Sequence, residues 1–334
     1  MLQAVSAQAY AAARHQVALV DRSSRGQLLV SGRDRASYLQ GLLTNDIEVL
    51  KAGQGCYALY LTAQGRMIAD LYVYELGDVI FMTMVRELKG TVLTKLDQFI
   101  FSEDVQLGDG SETFRQIGFV GPWAAETVAG LLDDVSAAVL EALPEYGNVR
   151  AHTSGAAAIV TRTQDVGVPG FDVALEAAHA LELRAASAAK GLIELDAGVA
   201  DVIRIEAGVP LFHRDMDEET IPLEAGLESR AISFTKGCYV GQEVVIRILH
   251  RGHGRVVRKL VGLVFGGDQV PVEGSIVTAD DREIGRITSS GWSPALQRPI
   301  ALAYLHRDFV ETGTRVSVGE LSVAAHVATL PFIQ

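Results

Sequence analysis

Cys238 lies between Gly237 and Gly241, two residues after a lysine, in the octet Lys236-Gly237-Cys238-Tyr239-Val240-Gly241-Gln242-Glu243. From Val240, apolar residues recur at Val244 and Ile248, while Glu243, Arg247 and Arg251 form a four-residue ladder. That pattern predicts an amphipathic helix with Cys238 just ahead of its N-terminus. A nearby cation and a positive helix end both favour thiolate over thiol, so the octet could present a reactive cysteine. The other reading of a single cysteine is a small buried hydrophobe. Cys56, among strand residues, reads as core.

Carboxylates offer a second chemistry. A tight turn at Gln64-Gly65 feeds a strand in which Asp70 is the one acid among apolar neighbours, either a site acid or an edge residue in solvent. The segment Thr161 to Asp172, with Gly167, Pro169 and Gly170 as turn formers, ends on a second candidate, Asp172. In DVIRIEAGVP, Arg204 and Glu206 alternate with Val202, Ile203 and Ile205. Glu206 fits either a pocket wall or a surface salt bridge. Asp215, Asp217, Glu218 and Glu219 read as a solvated acidic turn without EF-hand spacing. Arg247, Arg251, Arg255 and Arg258 could form an anion site or a solvated helix face. His250 and His253 have no acid or thiol partner at a fixed interval, and no metal site is expected.

These side chains need a scaffold, and the texture of the chain supplies one. Residues 55 to 83 read as three strands joined by turns, and Val85, Leu88, Val92, Leu96 and Phe99 mark one helix face. A strand at Gln116 to Val120 leads into a helix predicted from Trp123 to about Leu143, with Gly108-Asp109-Gly110 a loop before it. A second unit has a strand at Ala157 to Arg162 and a helix at Glu176 to Lys190. From Lys259 onward, short apolar runs split by Gly, Pro and Asp predict a small β-barrel. The class is α+β. Neither GxGxxG nor GxxxxGK occurs, so nucleotide binding by those loops is unsupported.

Length and charge narrow the function. At 334 residues the chain exceeds one core, and a net charge of −12 argues against nucleic acid or an anionic membrane as partner. No apolar run approaches about 18 residues, the length a membrane helix needs. Two distant cysteines suit a reducing, cytoplasmic setting and are too few for the four thiolates an iron–sulfur cluster usually takes.

The octet, followed by Arg247, Arg251, Gly252 and His253, resembles the signature of the YgfZ family, folate-binding relatives of the glycine-cleavage T-protein (aminomethyltransferase). DRSSRGQLLVSGRDRASYLQGLLTNDI likewise resembles the opening of T-protein relatives. The resemblance implies a folate-binding region over residues 1–250, built of two interleaved α+β subdomains, and a C-terminal barrel over 251–334. It implies tetrahydrofolate or a one-carbon derivative as ligand, with Asp70 near the reactive nitrogens and Asp172 on the pterin. Glu206, Arg247 and Arg251 would add to the folate site, and Cys238 with its octet would be functional. The implied role is assembly or repair of iron–sulfur enzymes, with those enzymes or cluster-assembly proteins as partners. The alternative is an aminomethyltransferase of one-carbon metabolism, and a folate-independent scaffold is a further one. Two departures weigh on the transferase: Ala69 stands where the T-protein has a second aspartate, and Asp165 where it has a tyrosine.

Overall fold

Gly65 adopts φ +74° in the turn where Thr62 donates its N–H to the Arg66 carbonyl (2.8 Å), a backbone shape that suits glycine. The turn joins Gln54–Leu61 to Met67–Glu75 as an antiparallel pair. Ile80–Val85, Arg25–Ser31 and Gln106–Asp109 extend it to a five-stranded sheet in that order. Every residue of Met67–Glu75 is buried, because both faces of this sheet are covered. The computed structural model describes residues 6–251 and 254–333, apart from the side chain of Arg251.

A second, six-stranded sheet runs in the order Ile193–Glu194, Ala18–Asp21, Phe114–Val120, Gly170–Glu176, Ala156–Thr163, Asn148–Thr153. The chain therefore crosses between the sheets at residues 22–24, leaving one sheet at Asp21 and entering the other at Arg25. Polar side chains stitch the two layers together. The Gln27 amide donates to Gln116 Oε1 (3.3 Å), and Asn148 donates to the Gln54 carbonyl (2.9 Å).

The third unit is a closed six-stranded barrel in which Arg258–Phe265 pairs with both Arg298–His306 and Val323–Ala328. The expected α+β architecture with a C-terminal barrel is thus present. Helix Ala197–Glu206 docks the barrel through buried polar groups, with Arg204 donating to Asp215 Oδ2 (2.7 Å) and Ser289 Oγ (2.7 Å). Among the described residues, no helix is long and apolar enough to cross a membrane.

Four local readings change. The first six residues of DVIRIEAGVP are helical, since Val199, Val202, Ile203 and Ile205 are buried along a helix whose N-cap is Asp196 and which ends at Glu206. The single helix predicted from Trp123 is two short ones, Ala124–Ala129 and Ala137–Ala142, separated by a segment that begins at Gly130. Gln106–Asp109 is an edge strand rather than part of a loop, paired to Leu28–Ser31. Asp215 is buried, accepting from Arg204, Thr288 and Ser289, whereas Asp217, Glu218 and Glu219 remain on the turn around it.

Candidate functional site

Asp70 sits mid-strand on the face that also carries Tyr72, because successive residues of a strand alternate faces. Tyr57, directly across the ladder from Tyr72, donates its hydroxyl to Asp70 Oδ2 (3.0 Å). Asp70 Oδ1 is buried with no hydrogen-bond partner among the described residues. Burial pushes the Asp70 carboxyl above the usual carboxylate range, although Arg25 and the Tyr57 hydroxyl pull the other way. Tyr57, Tyr72 and Tyr146 form a box with ring centroids 5.0, 5.8 and 6.4 Å apart. Arg230 leans on it, 5.5 Å above the Tyr57 ring and donating to Tyr146 Oη (3.2 Å). A cavity of about 450 Å³ between the loop segments around residues 207–230 and the barrel has Arg230 and Lys259 in its wall.

Arg22 and Arg25, at the crossing between the sheets, tie the second acid to the first. Arg22 donates through Nε to Asp172 Oδ1 (2.8 Å) and as a fork to both oxygens of Asp165 (2.9 and 2.7 Å). Arg25 approaches the same Asp165 (3.4 Å) and lies 4.5 Å over the Tyr72 ring. Gly118 makes this possible, since a Cβ there would lie 2.9 Å from both Arg22 Nε and Asp172 Oδ1. Burial opposes ionisation of Asp165, but Arg22 and Arg25 hold its carboxyl below the usual range. At Asp172 burial outweighs Arg22, and the carboxyl is raised. Asp70 and Asp172 therefore belong to one polar layer between the sheets, linked through Arg25, Asp165 and Arg22.

Glu206 is elsewhere. Rather than lining that layer, it is fully buried between the N-terminal helix Ala7–His15 and the barrel. Tyr10 (2.7 Å) and Arg14 donate to its Oε2, and Ser293 donates to its Oε1 (2.5 Å). The helical geometry of 197–206 sends it there. Arg247 is exposed on helix Gln242–Arg251, and the side chain of Arg251, with Gly252 and His253, lies outside the described residues. Arg258 is engaged by Glu224 (3.1 Å) and the Tyr304 ring.

The octet packs as a plug on the first sheet. Gly241 presses against the Thr62–Arg66 turn so closely that a Cβ would meet the Thr62 carbonyl at 2.5 Å. Val240 N–H donates to the Gly41 carbonyl (3.2 Å), Tyr239 is buried, and Gln242 and Glu243 open the helix. Lys236 does not serve the sulfur. Its ammonium donates to the carbonyls of Gln40, Leu43 and Asn45 (2.6, 2.7 and 2.8 Å), and burial draws its pKa down to about 8. Cys238 is exposed in the turn, with open space around Gly237. Cys56 is buried, which pushes its thiol up to about 12. Iodoacetamide on the native protein should therefore modify one thiol per chain, mapped by mass spectrometry to Cys238. Equal labelling of both cysteines would contradict this placement.

Two family models match the chain on either side of residues 237–257: residues 2–236 match the GCVT N-terminal domain and residues 258–334 the glycine cleavage T-protein C-terminal barrel domain. The chain belongs to the glycine cleavage T-protein family. It is 31% identical to an aminomethyltransferase of Streptomyces coelicolor, across 97% of this chain and 88% of that protein. To an aminomethyltransferase of Rubrobacter xylanophilus it is 32% identical, across 96% and 84%. The crystal structure of glycine cleavage system aminomethyltransferase T from Bartonella henselae shares the fold, with a TM-score of 0.85 at 22% identity over 98% of this chain and 89% of that one.

Sequence reasoning did not single out Arg22, Arg25, Tyr57, Tyr72, Tyr146 or Arg230. Tyrosines are ordinary strand formers, so a strand reading absorbed Tyr57 and Tyr72. The two arginines in DRSSRG, three residues apart at a turn, were the available signal.

Proposed function

We propose that this T-protein family member binds tetrahydrofolate and passes a one-carbon unit to it, as an aminomethyltransferase does. The observation that carries this reading is Asp70: a buried carboxylate with one oxygen held by Tyr57 and the other without a partner among the described residues, beside an aromatic box. Such an orphaned acceptor fits a flat ligand bearing N–H groups, because an unpaired buried polar atom costs about 1–3 kcal/mol until a donor reaches it. Tetrahydrofolate, when bound, supplies the ring nitrogen that accepts the carbon. Asp70 Oδ1, the unpartnered oxygen, would take the proton that this nitrogen sheds, and burial raises that carboxyl's affinity for it. The tyrosines exclude water from that carboxylate. Arg230 and Lys259, in the wall of the neighbouring cavity, suit an anionic tail. Asp172, already engaged by Arg22, acts here through the arginine rather than alone.

The loss of a second acid at Ala69 does not weaken the proposal. Ala69 is fully buried on the strand face opposite Asp70, so a carboxylate there would not stand beside the reacting one. Both cysteines are free, which suits the cytoplasm as the compartment.

A second reading, of YgfZ type with iron–sulfur enzymes as clients, is favoured by the exposed Cys238 thiol in its octet. Two measurements separate the readings. Calorimetry should show tetrahydrofolate binding, and its absence would leave only a folate-independent scaffold. Turnover of an aminomethyl-lipoyl carrier at about 1 s⁻¹ or faster is expected of a transferase. Binding without turnover, together with failure of Cys238→Ala to restore iron–sulfur enzymes in a deletion strain, would move the conclusion to the second reading.

A further inference from the structure

Among the described residues, three buried atoms between the sheets have no partner: the acceptors Asp70 Oδ1 and Gln27 Oε1 and, opposite in character, the donor Arg25 Nε–H, which shares the polar layer with Asp70. We propose that Arg25 is a specificity-determining residue, its Nε–H reading a carbonyl acceptor of the ligand ring while Asp70 Oδ1 takes the adjacent ring N–H. This rests on the folate reading and sharpens it: the site selects a heterocycle whose edge presents a donor next to an acceptor. A tetrahydropterin has that edge, since its ring carbonyl lies alongside the N–H of the nitrogen that accepts the carbon.

The geometry holds Arg25 ready for the task. Its guanidinium lies 4.5 Å over the Tyr72 ring, which fixes the plane, and a terminal nitrogen is 3.4 Å from Asp165 Oδ2, which fixes the far end of the fork. A guanidinium so clamped loses little freedom on donating once more. Asp165 is shared, because Arg22 already takes both of its oxygens. One carboxylate therefore faces two guanidinium groups, and Arg25 keeps a charge that a carbonyl oxygen can further satisfy. Asp70 and Tyr72, two residues apart, occupy the same face of one strand, so the clamp and the acceptor belong to the same wall.

The test is calorimetry with tetrahydrofolate and its 4-amino analogue, in which the ring carbonyl is replaced by an amino donor that would meet the Arg25 donor head-on. The native chain should bind tetrahydrofolate at least about tenfold more tightly than the analogue, the size expected for a lost hydrogen bond to a charged group. In Arg25→Met that ratio should collapse to near one. Arg25→Lys, which keeps the charge beside Asp165 but moves the donor, should lose the discrimination as well and covers the case in which Arg25→Met does not fold. If either folded variant keeps the tenfold preference, or the native chain binds both compounds equally, the assignment to Arg25 is overturned while the folate reading stands. If the native chain binds neither compound, the folate reading fails and this inference fails with it.

Discussion

Asp70→Asn should fold normally yet lower one-carbon transfer to tetrahydrofolate by about 10²- to 10⁴-fold, the usual contribution of a positioned acid or base. Asparagine has the same shape, and its carbonyl can still accept from Tyr57, so the box around it keeps its packing. What disappears is the group able to hold a proton at Oδ1. Stability provides the control, with a definite sign. The Asp70 carboxyl is raised above its usual range by burial, so between the unfolded and folded pKa values the native state binds more protons than the unfolded chain. Its contribution is present below the unfolded pKa and is lost as pH rises through the folded one. Asp70→Asn removes that loss, so its melting temperature at neutral pH should equal or exceed that of the native chain. A variant that transfers carbon at the native rate would remove Asp70 from the chemistry. A variant that melts well below the native chain would show that the carboxylate is structural.

The contrast between Asp70 and its surroundings explains what could be read from the sequence. An acid in an otherwise apolar strand conflicts with local pattern, and such conflicts are where sites lie. Its partners carry no such conflict: Tyr57 and Tyr72 suit strands, and Arg22 and Arg25 suit a turn. Only the crossing of the chain between two sheets at residues 22–24 brings them against Asp70, Asp165 and Asp172, and that crossing depends on pairings far apart in sequence. The barrel was legible because its strands are short, apolar and punctuated by turns. Helix Ala197–Glu206 was not, since a short apolar run matches both periods, and the error carried Glu206 toward a pocket it does not line. Lys236 shows the limit of adjacency: two residues from Cys238, it serves three backbone carbonyls instead.

Arg22→Met should destabilise the fold by about 3–5 kcal/mol at pH 7, the cost of stripping a buried charge of its partner. Arg22 is 6% exposed and makes three hydrogen bonds to two carboxylates, so its loss strips Asp172 of that partner and leaves Asp165 the longer contact to Arg25 (3.4 Å). Asp172→Asn should cost far less, because the fork from Arg22 to Asp165 survives and the asparagine carbonyl can still accept from Arg22 Nε. The pH dependence of the Arg22→Met deficit follows from Asp165. Arg22 and Arg25 hold that carboxyl below its usual range, so its stabilisation is fully present above the unfolded value near 3.9 and is lost as pH falls through the folded value. Protonation also removes the repulsion between the two acids in the variant. The gap between native chain and Arg22→Met should therefore be widest near neutrality and narrow on acidification. Urea unfolding at a series of pH values measures it directly. A gap under about 1 kcal/mol at pH 7, the scale of an exposed ion pair, would mean that Arg22 is solvated rather than the strut between the sheets. A gap that widens toward acid would contradict the assignment of Asp165 as its ionised partner.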